Sequence, residues 1–309
     1  MHRITQAVFA ATAVMVAGMP MLGTASAQQP IDWAKIEIKT TDLGNKTYRL
    51  EGQGGNITIA VGTDGLIMVD TQFAPLSDKI KAAIKAISPL PIKTIINTHF
   101  HGDHVGGNES FQNDGATVLA QDNIRIRLAA GTTNGTSGVK VPPGAPGAIP
   151  KETYIGGTRT IEVGGRKAIL THFNNAHTDG DTAVFFPDAN VLCVGDIMNN
   201  NHRYQQVDYA NGGDIRGMVR ATNAWLKAMN DDVKVVVGHG PLAKKADIAT
   251  YNTMVKSARD IVGKLVGEGK TEAEVVALDP LKELNATWAA TPEAAVNFLK
   301  QVYHSFSRS

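Results

Sequence analysis

Three of the chain's nine histidines fall within the six residues His99-Phe100-His101-Gly102-Asp103-His104, and no other stretch restricts the possible folds as much. Imidazole and carboxylate are the donors that suit a divalent metal of borderline character, zinc above all. The preceding run, Ile92-Lys93-Thr94-Ile95-Ile96-Asn97, is strand-like and delivers the chain into the cluster. His99 and His101, two apart at a strand end, project to the same side and can share one ion. Asp103 and His104 follow where the chain turns, and can face a second ion beside the first. Gly102, Gly106 and Gly107 permit the tight loop that brings four side chains together.

Cys193 is the single cysteine. It allows no intramolecular disulfide and no zinc site of paired CxxC motifs. Lying in Val191-Leu192-Cys193-Val194, it reads as a buried, inert thiol. Any metal site must therefore use His and carboxylate, and four side chains cannot satisfy two ions. Further donors should sit at later strand ends, with glycine close by. His177 lies in Ala176-His177-Thr178-Asp179-Gly180-Asp181, before a strand from Thr182. Asp196 closes the strand Val191–Val194, and His239 lies in Gly238-His239-Gly240-Pro241 after Val233–Val237.

The 309 residues are 43% hydrophobic and 19% charged, an ordinary globular balance. Lys and Arg number 30 against 29 Asp and Glu, so no basic footprint for nucleic acid or an anionic membrane stands out. A small-molecule substrate is the expected partner. His2 and Arg3, the apolar run from Ala7 to Met21, and Ala25-Ser26-Ala27 read together as a signal peptide over residues 1–27. Cleavage would leave one domain, 28–309, in the periplasm or outside the cell, with a helical extension from about residue 267. No later stretch is apolar for long enough to span a bilayer.

Short strand-like runs fill residues 34–73, starting with Ile36-Glu37-Ile38, and a helix with an apolar face follows over Pro75–Ile87. Thr117–Ala120 reads as a strand, Asn123–Ala130 as a short helix, and 131–150 as a long loop. A second block of strands spans 160–194, followed by helices over Asp214–Met229, Ala243–Val266, Glu272–Ala277 and Pro292–Tyr303 around the strand at Val233. Strands then helices, twice over, imply an α/β chain with two β-layers face to face and helices outside each.

The seven donors resemble the motif of the metallo-β-lactamase-fold superfamily, HxHxDH followed by His, Asp and His, over roughly residues 34–266. The resemblance implies an αββα four-layer sandwich with two zinc ions at one edge. His99, His101 and His177 would hold the first, Asp103, His104 and His239 the second, and Asp196 would bridge them. It also implies hydrolysis by a water shared between the two ions, with Asp103 orienting it. Asp181 reads either as a partner of a ligand imidazole or as a turn residue, and His172 as supporting or structural.

Within the superfamily, His101 argues against the diiron flavoprotein branch, which carries Glu there. His104 and the absence of a later cysteine ligand differ from the commonest clinical β-lactamases. Seven donors resemble the pattern of glyoxalase II-like thioesterases, lactonases and exported hydrolases. Gly-His-Gly-Pro before a long helix is similar to zinc hydrolases of quinoprotein systems. The expected reaction is cleavage of a carboxylic ester, lactone, thioester or β-lactam. The alternative is a mononuclear iron dioxygenase acting on a persulfide, against which export and the second set of donors argue. Substrate contacts are expected from the 131–150 loop and from Asn199–Tyr204, with Arg203 facing a carboxylate, His202 and Tyr204 donating hydrogen bonds, and Asn174 or Asn175 near an oxyanion. Trp33, Trp225 and Trp288 read as packing residues.

Overall fold

Two sets of short strands meet face to face to form the interior. The computed structural model describes residues 31–135 and 137–307; the expected signal peptide lies outside them. The first sheet contains β1 (Lys39–Gly44), β2 (Thr47–Glu51), β3 (Ile57–Val61) and β4 (Leu66–Val69). Helix α1 (Ser77–Ile87) leads to β5 (Ile92–Ile96), and the short helices α2 (Gly102–Val105) and α3 (Asn108–Asn113) lead to β6 (Thr117–Gln121). After α4 (Asp122–Ala130) comes a small hairpin, β7 (Thr132–Thr133) with β8 (Lys140–Val141), and then the edge strand β9 (Glu152–Tyr154). The order across this sheet is β1-β2-β3-β4-β5-β6-β9, parallel from β4 onward.

The second sheet runs β10 (Thr158–Val163), β11 (Arg166–His172), β12 (Thr182–Phe186), β13 (Val191–Gly195). Helix α5 (Ile215–Ala228) then crosses to β14 (Lys234–Val237), which lies parallel to β13. Helices α6 (Lys245–Gly267), α7 (Glu272–Leu278), α8 (Lys282–Trp288) and α9 (Pro292–His304) complete the chain.

Burial explains the layering. Every residue of β3, β4 and β13 is buried, as a strand covered on both faces requires. Ile67, Val69, Ile96 and Leu119 of the first sheet pack against Leu170, Val184, Phe186 and Cys193 of the second. Behind the first sheet, Ile59, Met68 and Ile95 pack against Ile80 and Ile84 of α1 and Phe111 of α3. Behind the second, Leu192, Val194 and Val235 pack against Ile215, Met218 and Trp225 of α5, Val255 of α6 and Phe298 of α9. The result is the expected four-layer α/β arrangement. No helix among the described residues is long and apolar enough to cross a membrane.

Three local expectations are corrected. Ile36-Glu37-Ile38 is not a strand: Trp33–Lys35 forms a 3-10 turn and β1 starts at Lys39. There Lys79 donates to the carbonyls of Trp33, Ala34 and Ile36 at 3.0, 2.7 and 2.6 Å, so an ammonium takes the carbonyls that a ladder would have paired. The 131–150 stretch is more than loop, since it carries the β7–β8 hairpin and a 3-10 turn at Pro146–Ala148. The short elements β9 and α8 are additional, being too brief for periodicity to mark.

Phe186 is fully buried in the joint between the sheets. Phe186→Ala is expected to cost about 3–5 kcal/mol of unfolding free energy, measured by urea denaturation; a loss below about 1 kcal/mol would show that this joint does not carry the fold.

Candidate metal centre

The seven donors sit at one edge of the sandwich because that is where their strands end. His99 to His104 follow β5, Asp196 follows β13, His239 follows β14, and His177 lies in the turn entering β12. Backbone hydrogen bonds join the two sheets at this edge. Thr182 N–H donates to Thr98 O at 2.7 Å and Asn56 N–H to Gly238 O at 2.8 Å. Two groups of donors result: His99, His101, His177 and Asp196, and beside them Asp103, His104 and His239, with the ligand-type atoms of each group within 4.8 Å of one another.

The outward ring nitrogen of four imidazoles is already engaged, which fixes where their lone pairs point. His177 Nδ1 donates to the carbonyl of Gln206 at 2.7 Å, and a carbonyl can only accept. His101 Nε2 lies 3.0 Å from the Asp208 carboxylate and His104 Nδ1 2.7 Å from that of Asp70. His99 Nδ1 is 3.1 Å from Thr98 Oγ1, which itself donates to Asp70 at 2.7 Å. On His177, His101 and His99 the inward nitrogen is thereby the one turned towards the other donors, while the carboxylates facing His104 and His239 draw a proton onto theirs. His177 Nε2 and His101 Nδ1 face each other at 3.0 Å, His104 Nε2 and His239 Nε2 at 3.4 Å, and buried His99 Nε2 has no hydrogen-bond partner.

Lone pairs converging in a buried space repel unless a cation lies among them. The carboxylates make the same demand. Asp196 lies 3.3 Å from both His104 Nε2 and His239 Nε2, and 3.9 and 3.8 Å from His99 and His177. Asp103 is 3.1 Å from His239 Nε2. Burial drives His99 well below the usual imidazole range, and takes His177 down to about 4 with the help of neighbouring His101. Both are therefore neutral, the form that binds metal. Burial opposes charge on His104 and His239 too, yet Asp196 and its companion carboxylates hold His104 well above its ordinary value and His239 up to about 9. Positive charge is wanted at this point, and the donors fit a divalent ion of the zinc type.

Two glycines make room for the ring of donors. A Cβ on Gly238 would stand 1.9 Å from Asp196 Oδ1, and one on Gly55 would stand 2.2 Å from the His104 ring.

Several supporting residues escape a reading of the sequence. Asp70 and Asp208 touch imidazoles 34 and 107 positions away, separations that no local motif reveals. Gln205 donates to Asp196 at 3.1 Å and is held by Asn199 at 2.9 Å. Asp181 does not bond an imidazole: it accepts from the Thr178 N–H and hydroxyl at 2.8 and 2.6 Å, so it shapes the turn that carries His177. His172 bonds the carbonyl of Asp179 at 2.8 Å and is structural. Tyr204 is engaged elsewhere, donating to Asn285 at 2.8 Å and stacking on Phe298 at 3.9 Å. Asn175 donates to Gly212 O, while Asn174, His202 and Arg203 are exposed. Trp225 and Trp288 are buried. Burial raises the Cys193 thiol to about 12, in keeping with an inert side chain.

A family model described as the metallo-beta-lactamase superfamily matches residues 50–240, a span holding all seven donors. The chain is 29% identical over 153 residues to the 2,4-dinitroanisole O-demethylase subunit alpha of Nocardioides sp. (strain JS1661), a match covering 48% of this chain and 43% of that protein. The chain thus spans less than half the length of the curated relatives it matches. A solved metallo-beta-lactamase from Pontibacter korlensis superposes with a TM-score of 0.59 at 19% identity, over 71% of this chain and 99% of that one. A double mutant of the sec-alkyl sulfatase PisA1 superposes with a TM-score of 0.65 at 16% identity, over 87% of this chain and 50% of that one.

Because Asp208 holds the His101 ring from behind, Asp208→Ala is expected to weaken metal binding by about 10–100-fold in competition with a chromophoric chelator. Tyr204→Phe should leave it unchanged. Equal affinity in the two variants would remove Asp208 from the site's support.

Proposed function

The chain belongs to the metallo-beta-lactamase superfamily, and on that premise we propose that it is an exported hydrolase using two divalent ions, zinc by the chemistry of its donors, to cleave a carboxylic ester, lactone, thioester or β-lactam. The observation that carries this reading is the pair of adjacent donor groups, with the ring nitrogens of His101 and His177 turned inward by the contacts behind them. In the proposal His99, His101 and His177 hold one ion, Asp103, His104 and His239 the other, and Asp196 lies between them. Ions so held would supply Lewis acidity and a water whose pKa falls towards about 7.

The remaining work belongs to the chain's own groups. Asp103 is one-quarter exposed where Asp196 is almost covered, so its carboxylate is the one that can meet the attacking water, accept its hydrogen bond and orient it. Asp208 and the Gln206 carbonyl keep the proton of His101 and of His177 on the outward nitrogen, so neither ring can turn. Asp70 does the same for His104 while also accepting from Thr98, coupling the two donor groups. A single-iron dioxygenase leaves Asp103, His104 and His239 without a purpose, which favours hydrolysis.

Purified protein loaded with zinc is expected to retain about two ions per chain. It should hydrolyse at least one of nitrocefin, an acyl-homoserine lactone, a thioester and an aryl ester, with activity lost to a chelator and restored by metal. 2,4-Dinitroanisole and a secondary alkyl sulfate belong in the panel because the names of a relative and of a structural neighbour point to them. Fewer than about one ion per chain, or hydrolysis that a chelator leaves untouched, would overturn the proposal.

Export has its own test. N-terminal sequencing of protein from the periplasmic fraction should start at Gln28, and retention in the cytosol with Met1 intact would refute it.

A further inference from the structure

Beside the donor groups, α4 and the 131–150 insert enclose a cavity of about 250 Å³ that opens onto His101 and Asp208. Its walls are largely apolar, with Thr132 and Asn134 among them: Phe100 and Val105 come from the segment carrying the first donors, Leu128 from α4, and Val141 and Pro142 from the insert. Arg127 and Asn211 line it as well, yet the guanidinium is committed. It bonds both oxygens of Asp179 at 2.7 and 2.5 Å and Asn211 Oδ1 at 2.9 Å. Asn211 in turn donates to Asp208 at 2.7 Å. The arginine charge is matched inside this chain of contacts, so it does not call for an anionic ligand.

The insert is held in place at both ends. Asn211 donates to Thr133 O at 3.1 Å, and Tyr209 donates to Gly135 O. Gln112 donates to Gly147 O and Ile149 O at 2.7 and 3.0 Å, and Asn108 donates to Ala148 O at 3.2 Å. The walls therefore stand preformed. At the mouth, Val141 leaves 52% of its surface in solvent, an apolar group with nothing covering it.

We propose that this cavity is the subsite for an uncharged, apolar arm of the substrate, an acyl, alkyl or single aromatic group attached to the bond being cleaved. The inference rests on the hydrolase reading above and narrows its substrate class. The arm lies in the cavity while the scissile bond lies against the donor groups, because His101 is both a donor and a cavity wall, with Asp208 behind it. The volume falls just below the ~300–1,000 Å³ of sites for drug-sized ligands, so one short chain or one ring fits and a fused polycycle does not.

The test uses 6-fluorohexan-1-ol and 2-fluoroethanol as neutral probes, followed by fluorine NMR line broadening on the full chain with and without zinc. The hexyl probe should bind in both states and be displaced by 1-hexanol, while the ethyl probe should not bind. Val141→Arg, at an exposed position, and Leu128→Asp, deeper in the wall, should each weaken hexyl binding at least about fivefold with zinc content retained. Should Leu128→Asp fail to fold, Val141→Arg alone decides. In turnover, kcat/KM for p-nitrophenyl hexanoate should exceed that for the acetate by about tenfold or more, and Val141→Arg should bring the ratio towards one.

No hexyl binding by the wild type, or undiminished binding by the folded variants, overturns the subsite. Hexyl binding without turnover of any ester supports the subsite and counts against the hydrolase reading. Turnover with no preference for chain length and no probe binding defeats the subsite alone.

Discussion

His101 and His177 turn ring nitrogens towards each other across 3.0 Å, and the groups that orient them lie behind the rings. A carbonyl behind His177 holds a proton on its Nδ1, and the carboxylate behind His101 draws one to its Nε2. With both rings in their neutral, outward-protonated form two acceptors meet at that distance and repel, and His99 adds a third buried nitrogen with no hydrogen-bond partner. Such an arrangement survives folding only because the same site collects negative charge from Asp196 and Asp103, so that a cation relieves both strains at once. An ion bound at this edge would therefore be tied to the stability of the fold, because it would settle interactions that the folded chain alone leaves unfavourable.

The rest of the architecture serves that edge. Donors come from the ends of β5, β13 and β14 and from the turn before β12, so both sheets must be packed in register for the two groups to stand side by side. The inter-sheet core of Val69, Ile96, Val184 and Cys193 supplies that register. At the rim, Asp70 reaches from the end of β4 to Thr98 and His104 in the other part of the donor loop. Its backbone adopts φ of +61°, unusual for a side chain with a Cβ. Three hydrogen bonds hold it there, from the Thr98 N–H at 2.8 Å and from the Thr98 hydroxyl and His104 Nδ1 at 2.7 Å each, a local cost offset by placing the His104 ring directly and the His99 ring through Thr98.

The metal-binding features stand out in the sequence because their chemistry is concentrated in residue type. Histidines at positions 99, 101 and 104 and glycines around 106 and 238 are rare enough together to be read without coordinates. The layered fold follows from the two alternations of strands and helices. What holds the rings still is not legible, since Asp70 and Asp208 are ordinary acidic residues until folding closes separations of 34 and 107 positions. Asp181 shows the opposite case. Its place beside His177 suggests an imidazole partner, and the backbone of its own turn takes its oxygens first, at an entropic advantage that short separation confers. The insert is illegible for a further reason: two-residue strands and one 3-10 turn leave no periodic pattern, and side chains outside it, Asn108, Gln112 and Asn211, hold it in place.

This division bears on how the chain could be specific. Groups that set the ligand geometry are buried, charged and mutually dependent, so a change at Asp70, Asp208 or Gly238 disturbs the donors themselves. The cavity walls at Leu128, Val141 and Pro142 touch none of the donor hydrogen bonds, although the Arg127–Asn211–Asp208 contacts run along the same cavity. Apolar side chains of similar volume can replace one another there at small cost, while polar contacts beneath them keep His101 fixed. In the proposed hydrolase, bond breaking and recognition of the neighbouring group would thus rest on separate sets of residues that meet at His101 and Asp208. On that proposal, substitution on the insert would alter which apolar arm is accepted without altering the donors that would hold the metal.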